Sequence, residues 1–231
     1  LQSALTTGLL GSGMTVIDVG VITTPGVAYL VRHLSAQAGV VISAYHNPVH
    51  ENGIKFFDQS GYKLPETTES NIEALLLDKT WKPPAPEQYG RLMDGRQMQE
   101  LYIESLTNEH ANLHLDRLSV VLDCANGAAF WIGPEALSRL GARLVTIHAS
   151  PTGLNINDQC GSEFARKHPE DVGRLVQEYK ADFALAFDGD ADRVVFVDEH
   201  GNLVDGDHML ALLARYFDQK GQLVARSLVT T

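Results

Sequence analysis

Three carboxylates and one guanidinium fall within the segment Asp188-Gly-Asp190-Ala-Asp192-Arg193, and apolar runs close in on both sides: Phe183-Ala-Leu-Ala186 before it and Val194-Val-Phe-Val197 after it. Short apolar runs rich in β-branched and aromatic residues predict buried strands. The acidic cluster is therefore confined to a tight connection between strands. Like charges at this density repel unless a cation neutralises them, and an all-oxygen ligand set suits a hard ion such as Mg²⁺. Arg193 beside them is a natural partner for a phosphate, so the loop is expected to hold a metal together with a phosphate. A solvated acidic turn is the plain alternative. Asp188, Asp190, Asp192 and Glu199 also occupy ligand positions of a helix–loop–helix calcium site. That loop needs glycine at its sixth position, where this chain has Arg193, and its flanks should be helices, so calcium is set aside.

Composition narrows the partners. The formal net charge is −11, which argues against nucleic acid as the main partner because phosphate backbones demand a basic footprint. No apolar run is long enough to span a bilayer, so no membrane role is expected. No charged-then-apolar leader opens the chain, and Cys124 and Cys160 are too few for a disulfide scaffold, which fits a reducing cytoplasm. Both ends read as cut: Leu1 to Leu10 resembles a helix interior without an N-cap, and Leu223 to Thr231 reads as a strand stopped without a turn.

Along the chain, strand and helix signals alternate, which implies sheets flanked by helices. Strands are expected at Thr15–Val21, Gly39–Ser43 and Ile54–Phe57, with a helix opening at Thr24-Pro-Gly26 and running to Leu34. Trp81-Lys-Pro-Pro-Ala-Pro86 reads as an extended connector. A helix over Gln97–Asn108, a strand at Leu118–Asp123, a helix over Pro134–Leu140, a strand at Ala142–Ile147 and a helix over Asp171–Tyr179 follow. The span Pro151–Pro169 reads as a long polar loop. A weak internal repeat pairs Ala38–Gly61 with Ala181–Gly201: each has a strand, a polar loop, a strand and an Asp-x-x-Gly turn.

The first of those loops holds Ser43, Tyr45, His46, Asn47, His50, Glu51 and Asn52, with Lys55 just beyond and Pro48 and Gly53 shaping it. Such residues also serve turn hydrogen bonds, His46 can be a purely hydrogen-bonding imidazole, and Lys55 can be a strand-edge lysine in solvent.

Ser43-Ala-Tyr-His-Asn-Pro48 followed by Asn52-Gly-Ile-Lys55-Phe-Phe57 resembles the phosphoserine loop of the α-D-phosphohexomutases, and the acidic loop resembles that family's metal loop, with Ala191 in place of its second glycine. Thr24-Pro-Gly-Val-Ala-Tyr-Leu30, Leu122-Asp-Cys-Ala-Asn-Gly127, Gly153-Leu-Asn-Ile-Asn157 with Cys160-Gly161, and Val204-Asp-Gly-Asp207 extend the likeness over nearly the whole chain. They are most similar to the bacterial phosphoglucosamine mutase branch. The resemblance implies consecutive α/β/α domains with mixed sheets. Residues 1–95 would be an incomplete first domain, 96–203 the second, and 204–231 the start of a third. It implies an enzyme that interconverts glucosamine 6-phosphate and glucosamine 1-phosphate through a phosphoenzyme and a bound 1,6-bisphosphate. Mg²⁺ would be held by Asp188, Asp190, Asp192 and the phosphate carried at position 45. Lys55, His46 and Arg193 would orient groups, move protons and neutralise charge, with Lys55 as general base, a role that needs a lowered pKa.

The chain departs from the family at its centre: the phosphorylated serine falls where this sequence has Tyr45. A phenol oxygen lies several ångströms farther from the backbone, and near-attack distances of ~3 Å tolerate little misplacement. Three readings follow: a catalytically silent or altered relative that binds Mg²⁺ and sugar phosphate, a repositioned phosphotyrosine, or takeover by Ser43. The family's early arginine loop, sugar-recognition loop and final phosphate-binding loop have no counterpart in the sequence, so slow turnover by this chain alone is expected.

Overall fold

The computed structural model describes residues 1–77, 80, 82–223 and 227. Trp81, and the strand expected over Leu223–Thr231 apart from Leu223 and Ser227, lie outside the described residues. The first elements are α1 (Gln2–Gly11), β1 (Val16–Asp18), α2 (Thr24–His33), β2 (Ala38–Ser43), β3 (Gly53–Asp58) and α3 (Glu66–Leu77). They are followed by β4 (Leu92–Asp94), α4 (Gln99–Glu109), β5 (Ser119–Asp123), α5 (Ala129–Arg139) and β6 (Arg143–Ile147). The last are α6 (Gly161–Lys167), α7 (Pro169–Glu178), β7 (Phe183–Phe187), β8 (Val194–Asp198), β9 (Leu203–Val204) and α8 (Gly206–Gln219).

Local chemistry sets several of these boundaries. The Thr23 hydroxyl accepts from Gly26 N–H and caps α2, whose Pro25 sits in the first turn where a missing donor costs nothing. β1 stops early because the Asp18 carboxylate accepts from Gly20 N–H in a tight turn. Two expectations are corrected. α5 starts five residues before Pro134, which lies inside the helix rather than opening it. The span Pro151–Pro169 contains α6, which covers the sheet with Ser162 and Ala165 buried. Neither α3 nor β4 was anticipated: β4 is three exposed residues, too short for any periodicity, and the apolar face of α3 is weak.

Among the described residues the strands form two two-stranded sheets, β1–β4 (parallel) and β2–β3 (antiparallel), and one five-stranded sheet in the order β6-β5-β7-β8-β9. The large sheet is mixed: β5 is parallel to β6 and β7, while β7–β8 and β8–β9 are antiparallel. Alternate residues of β5 serve opposite cores. Val120 and Leu122 pack with Ala129 of α5, and Val121 packs with Ala165, Val172 and Val176 of α6 and α7. Burial on both faces accounts for the unbroken apolar run Val120-Val-Leu122. A third core joins α2, β2 and β3 to Ile103 of α4 and Ile132 and Ala136 of α5, so apolar packing is continuous across residue 95. This is an α/β protein of consecutive α/β/α layers with mixed sheets, as the sequence implied.

The internal repeat holds in atomic detail. Both halves are antiparallel pairs, β2–β3 and β7–β8, and their turns are built alike. Asp58 Oδ1 accepts from Ser60 and Tyr62 N–H, and Asp198 Oδ1 from His200 and Asn202 N–H. Gly61 and Gly201 close the turns at φ 78° and 85°.

Candidate active site

The chain leaves β5 toward β6 on one side and returns to β7 on the other, which makes the carboxyl ends of β5 and β7 a topological switch point, the usual place for a ligand crevice in such sheets. The acidic loop begins there. Asp188 N–H donates to Arg193 O (3.2 Å), Ala191 N–H donates to Asp188 O (3.1 Å), and Asp188 Oδ1 accepts from Arg193 N–H (3.1 Å). Ala191 takes φ 56°, a left-handed conformation that costs a residue with a Cβ roughly 1–2 kcal/mol.

The β2–β3 loop meets this turn from the opposite side. Ser43 Oγ accepts from Tyr45 N–H (2.9 Å), and Tyr45 sits at φ 59°. The Tyr45 carbonyl accepts from Gly189 N–H (3.0 Å) and from Asn157 Nδ2 (2.7 Å), and the same amide reaches Asn47 O (3.0 Å). The Tyr45 ring lies over Lys55, with Nζ 4.0 Å from its centroid. It also lies so close to Gly53 that a Cβ there would come 2.8 Å from Cε2. Its hydroxyl is buried and has no hydrogen-bond partner among the described residues.

Between the loops the carboxylates converge. Asp188, Asp190 and Asp192 each bring an oxygen within 4.8 Å of the others', near the ~4 Å between opposite ligands of a six-coordinate Mg²⁺. Lys55 Nζ bridges Asp190 Oδ2 (2.9 Å) and Asp192 Oδ2 (3.0 Å). Thr24 holds Asp190 twice, through its hydroxyl to Oδ2 (2.5 Å) and through its N–H to the carbonyl (2.9 Å). Among the described residues, Asp188 Oδ2 and Asp190 Oδ1 are buried without any partner. Buried acceptors are rarely left so, and one ammonium cannot balance three carboxylates. Burial, then the neighbouring Asp190, pushes the Asp188 carboxyl up to about 7. The oxygens present fit a hard divalent cation.

Tyr45, Lys55, Asp188, Asp190 and Asp192 are thus brought together. His46 stands apart, lining a cleft of about 660 Å³ with Asn47, Asn157, Phe164, Lys167 and His168. Arg193 shapes the loop through its backbone, while its side chain is 57 % exposed and pairs with Asp192 at 3.8 Å. The lowered pKa expected of Lys55 is corrected: burial does disfavour its charge, but hydrogen bonds to Asp190 and Asp192 outweigh it and hold the ammonium above its usual value. Burial likewise lifts the Tyr45 phenol, against the pull of Lys55. Sequence reasoning missed Thr24 and Asn157 as parts of the site. Thr24 read as a helix start, and Asn157 acts through carbonyl oxygens, which leave no mark in side-chain chemistry.

Comparison with known proteins agrees. Residues 1–82 match the family model "Phosphoglucomutase/phosphomannomutase, alpha/beta/alpha domain I", and residues 100–201 match that for domain II. Proteins named phosphoglucosamine mutase from Pelotomaculum thermopropionicum and Nitratidesulfovibrio vulgaris are each 47 % identical over the whole chain, which covers 51 % of either relative. A structure described as a putative phosphomannomutase from Thermus thermophilus superposes with a TM-score of 0.74 at 27 % identity, over 95 % of this chain and 51 % of that one. The chain spans about half the length of the curated relatives it matches. On the sequence matches and the shared architecture together, this chain belongs to the phosphoglucomutase/phosphomannomutase family.

Proposed function

We propose that this chain carries the phosphoryl-transfer machinery of a phosphoglucosamine mutase, an isomerase that moves phosphate between the 6- and 1-hydroxyls of glucosamine. The observation that carries the reading is the pair of partnerless buried oxygens, Asp188 Oδ2 and Asp190 Oδ1, in the loop whose Gly189 N–H holds the carbonyl of position 45. The relatives' name supplies the substrate. In this reading residues 1–95 and 96–203 are the first two domains, which meet at the site, and 204–231 opens a third. The partners are hexose phosphates and their 1,6-bisphosphate rather than nucleic acid or membrane. Among the described residues no helix is long and apolar enough to cross a membrane, and the setting is cytoplasmic.

Asp188, Asp190 and Asp192 would hold Mg²⁺, which when bound supplies positive charge to the carboxylates and to the oxygens of the transferred phosphoryl group. The residues do the rest. Thr24 fixes Asp190, and Asn157 and Gly189 N–H fix the backbone of position 45. Lys55, charged as it stands, orients Asp190 and Asp192. It becomes able to accept a proton only when those carboxylates turn elsewhere, because they are what holds its pKa up. His46 faces the cleft as a second proton carrier, and Arg193 swings from the surface to receive phosphate.

A second reading has its own support. With Tyr45 packed on Lys55 and against Gly53, and its hydroxyl buried, the chain would bind Mg²⁺ and sugar phosphate without carrying phosphate covalently. Intact-mass analysis after incubation with glucose 1,6-bisphosphate and Mg²⁺ separates the two. Tyr45→Ser is expected to gain one phosphate. A folded Tyr45→Ser that takes none overturns the mutase reading. An adduct mapped to Tyr45 in the wild type overturns the silent one.

A further inference from the structure

Asp123, His148 and Cys160 meet at the carboxyl end of the five-stranded sheet from three directions: the last residue of β5, the residue after β6 and the residue before α6. His148 Nδ1 lies 3.1 Å from Asp123 Oδ1, and one ligand-type atom from each of the three falls within 4.8 Å of the others. None has a part in the phosphoryl transfer described above.

The three are held as ligands of a metal usually are. The buried Asp123 carboxylate accepts from Ala125 N–H at Oδ1 (2.8 Å) and from Gly161 N–H at Oδ2 (2.9 Å). Cys160 is 1 % exposed, and Asn126 Nδ2 stands 3.9 Å from its sulfur. Such outer hydrogen bonds fix the orientation of metal-binding side chains. His148 sits at φ 49°, a strained backbone for a residue with a Cβ, and this conformation accompanies an imidazole turned onto Asp123. Its side chain is 39 % exposed, which leaves a path from solvent.

The donor chemistry selects the ion. Oxygen, imidazole nitrogen and thiolate sulfur together suit Zn²⁺, whereas Mg²⁺ avoids sulfur. We propose that Asp123, His148 and Cys160 form a second metal site, for Zn²⁺, distinct from the acidic loop. Ligand atoms around tetrahedral zinc lie about 3.3–3.8 Å apart, so atoms within 4.8 Å of one another must close by about 1.5 Å at most, a shift shared among the three side chains. Three protein ligands leave the fourth position to water. Binding releases the thiol proton and displaces the proton that His148 and Asp123 share, so affinity rises with pH. The site would brace the acidic loop from behind, because Gly161 packs so tightly on Phe187 O that a Cβ there would lie 2.8 Å from it.

The metal-free 231-residue chain, titrated with Zn²⁺ and with Co²⁺ as an optical probe, tests this. With excess Mg²⁺ present to fill the acidic loop, one ion should bind per chain, and the cobalt form should show a sulfur-to-metal charge-transfer band in the near ultraviolet that Zn²⁺ displaces. Cys160→Ser should abolish the band. His148→Gln, at a half-exposed position that leaves folding intact, should weaken binding about tenfold or more. Cys124→Ser and Asp188→Asn should leave the thiolate band and the affinity read from it unchanged. The proposal is overturned by a wild-type chain with no thiolate band, by a band that follows Cys124, or by binding that survives Cys160→Ser and His148→Gln but is lost in Asp188→Asn.

Discussion

Asp188 concentrates the conflict at this site in one residue. It is buried beside Asp190, has one oxygen without a partner, and its carboxyl is pushed up to about 7. A carboxyl whose folded pKa exceeds its unfolded value stabilises the fold at low pH, and that contribution is lost as pH rises through the folded pKa. Without metal, the chain should therefore lose stability from this group between about pH 4 and pH 7. Metal binding needs the carboxylate, so the sign reverses when Mg²⁺ is supplied. The rise in melting temperature on adding Mg²⁺ should be larger at about pH 8 than at about pH 6, and Asp188→Asn should remove both the rise and its pH dependence. A Mg²⁺ shift of equal size at both pH values would count against this assignment. The identity of the three carboxylates was legible in the sequence because charges between apolar runs have few explanations. The raised pKa of Lys55 was not, because it depends on which oxygens reach Nζ.

At the scale of elements, the site depends on backbones that touch. The turn after β5 presses on the acidic loop: a Cβ at Gly127 would fall 2.3 Å from Gly189 O and 2.7 Å from its Cα. Neither atom belongs to a flexible side chain, so the strain of an added methyl must move one loop. Gly127→Ala should lower stability by about 1–3 kcal/mol in urea denaturation and shrink the Mg²⁺ shift, because Gly189 lies between Asp188 and Asp190. Unchanged Mg²⁺ affinity would show that the two turns are mechanically independent. The longer strands and α2 could be read from pattern because burial on both faces, alternation and capping are local facts. α5 was misplaced because Pro134 looks like a first-turn proline, and tertiary packing of Ala129 and Ile132 extends the helix past it. α6 was hidden because a helix from Gly161 to Lys167 has too few turns to show a period.

At the scale of the molecule, the site is also a seam. Residues from the first hundred positions and from beyond 150 share hydrogen bonds there, through Thr24 with Asp190, Lys55 with Asp190 and Asp192, and Asn157 with Tyr45 and Asn47. Farther along, Arg139 of α5 pairs with Glu100 of α4. Asn157 is the most economical point at which to cut this seam, since one amide serves two carbonyls. Asn157→Ala should cost the whole chain about 1–3 kcal/mol, read as a lower urea midpoint, and should weaken the Mg²⁺ shift without removing it. A variant matching the wild type in both would mean that Gly189 N–H suffices to hold position 45. The family likeness could be read from ordered motifs, but this seam could not, because its contacts join residues more than a hundred positions apart. The two hairpins that bear the chemistry are each followed by the same Asp-x-x-Gly turn and paired along the same kind of ladder. Each loop is therefore set by strand register rather than by its own composition. Position 45 and the acidic loop behave as inserts in matching frames, so a loop carrying serine from a relative could be grafted between Ser43 and Gly53 with the ladder left as it stands.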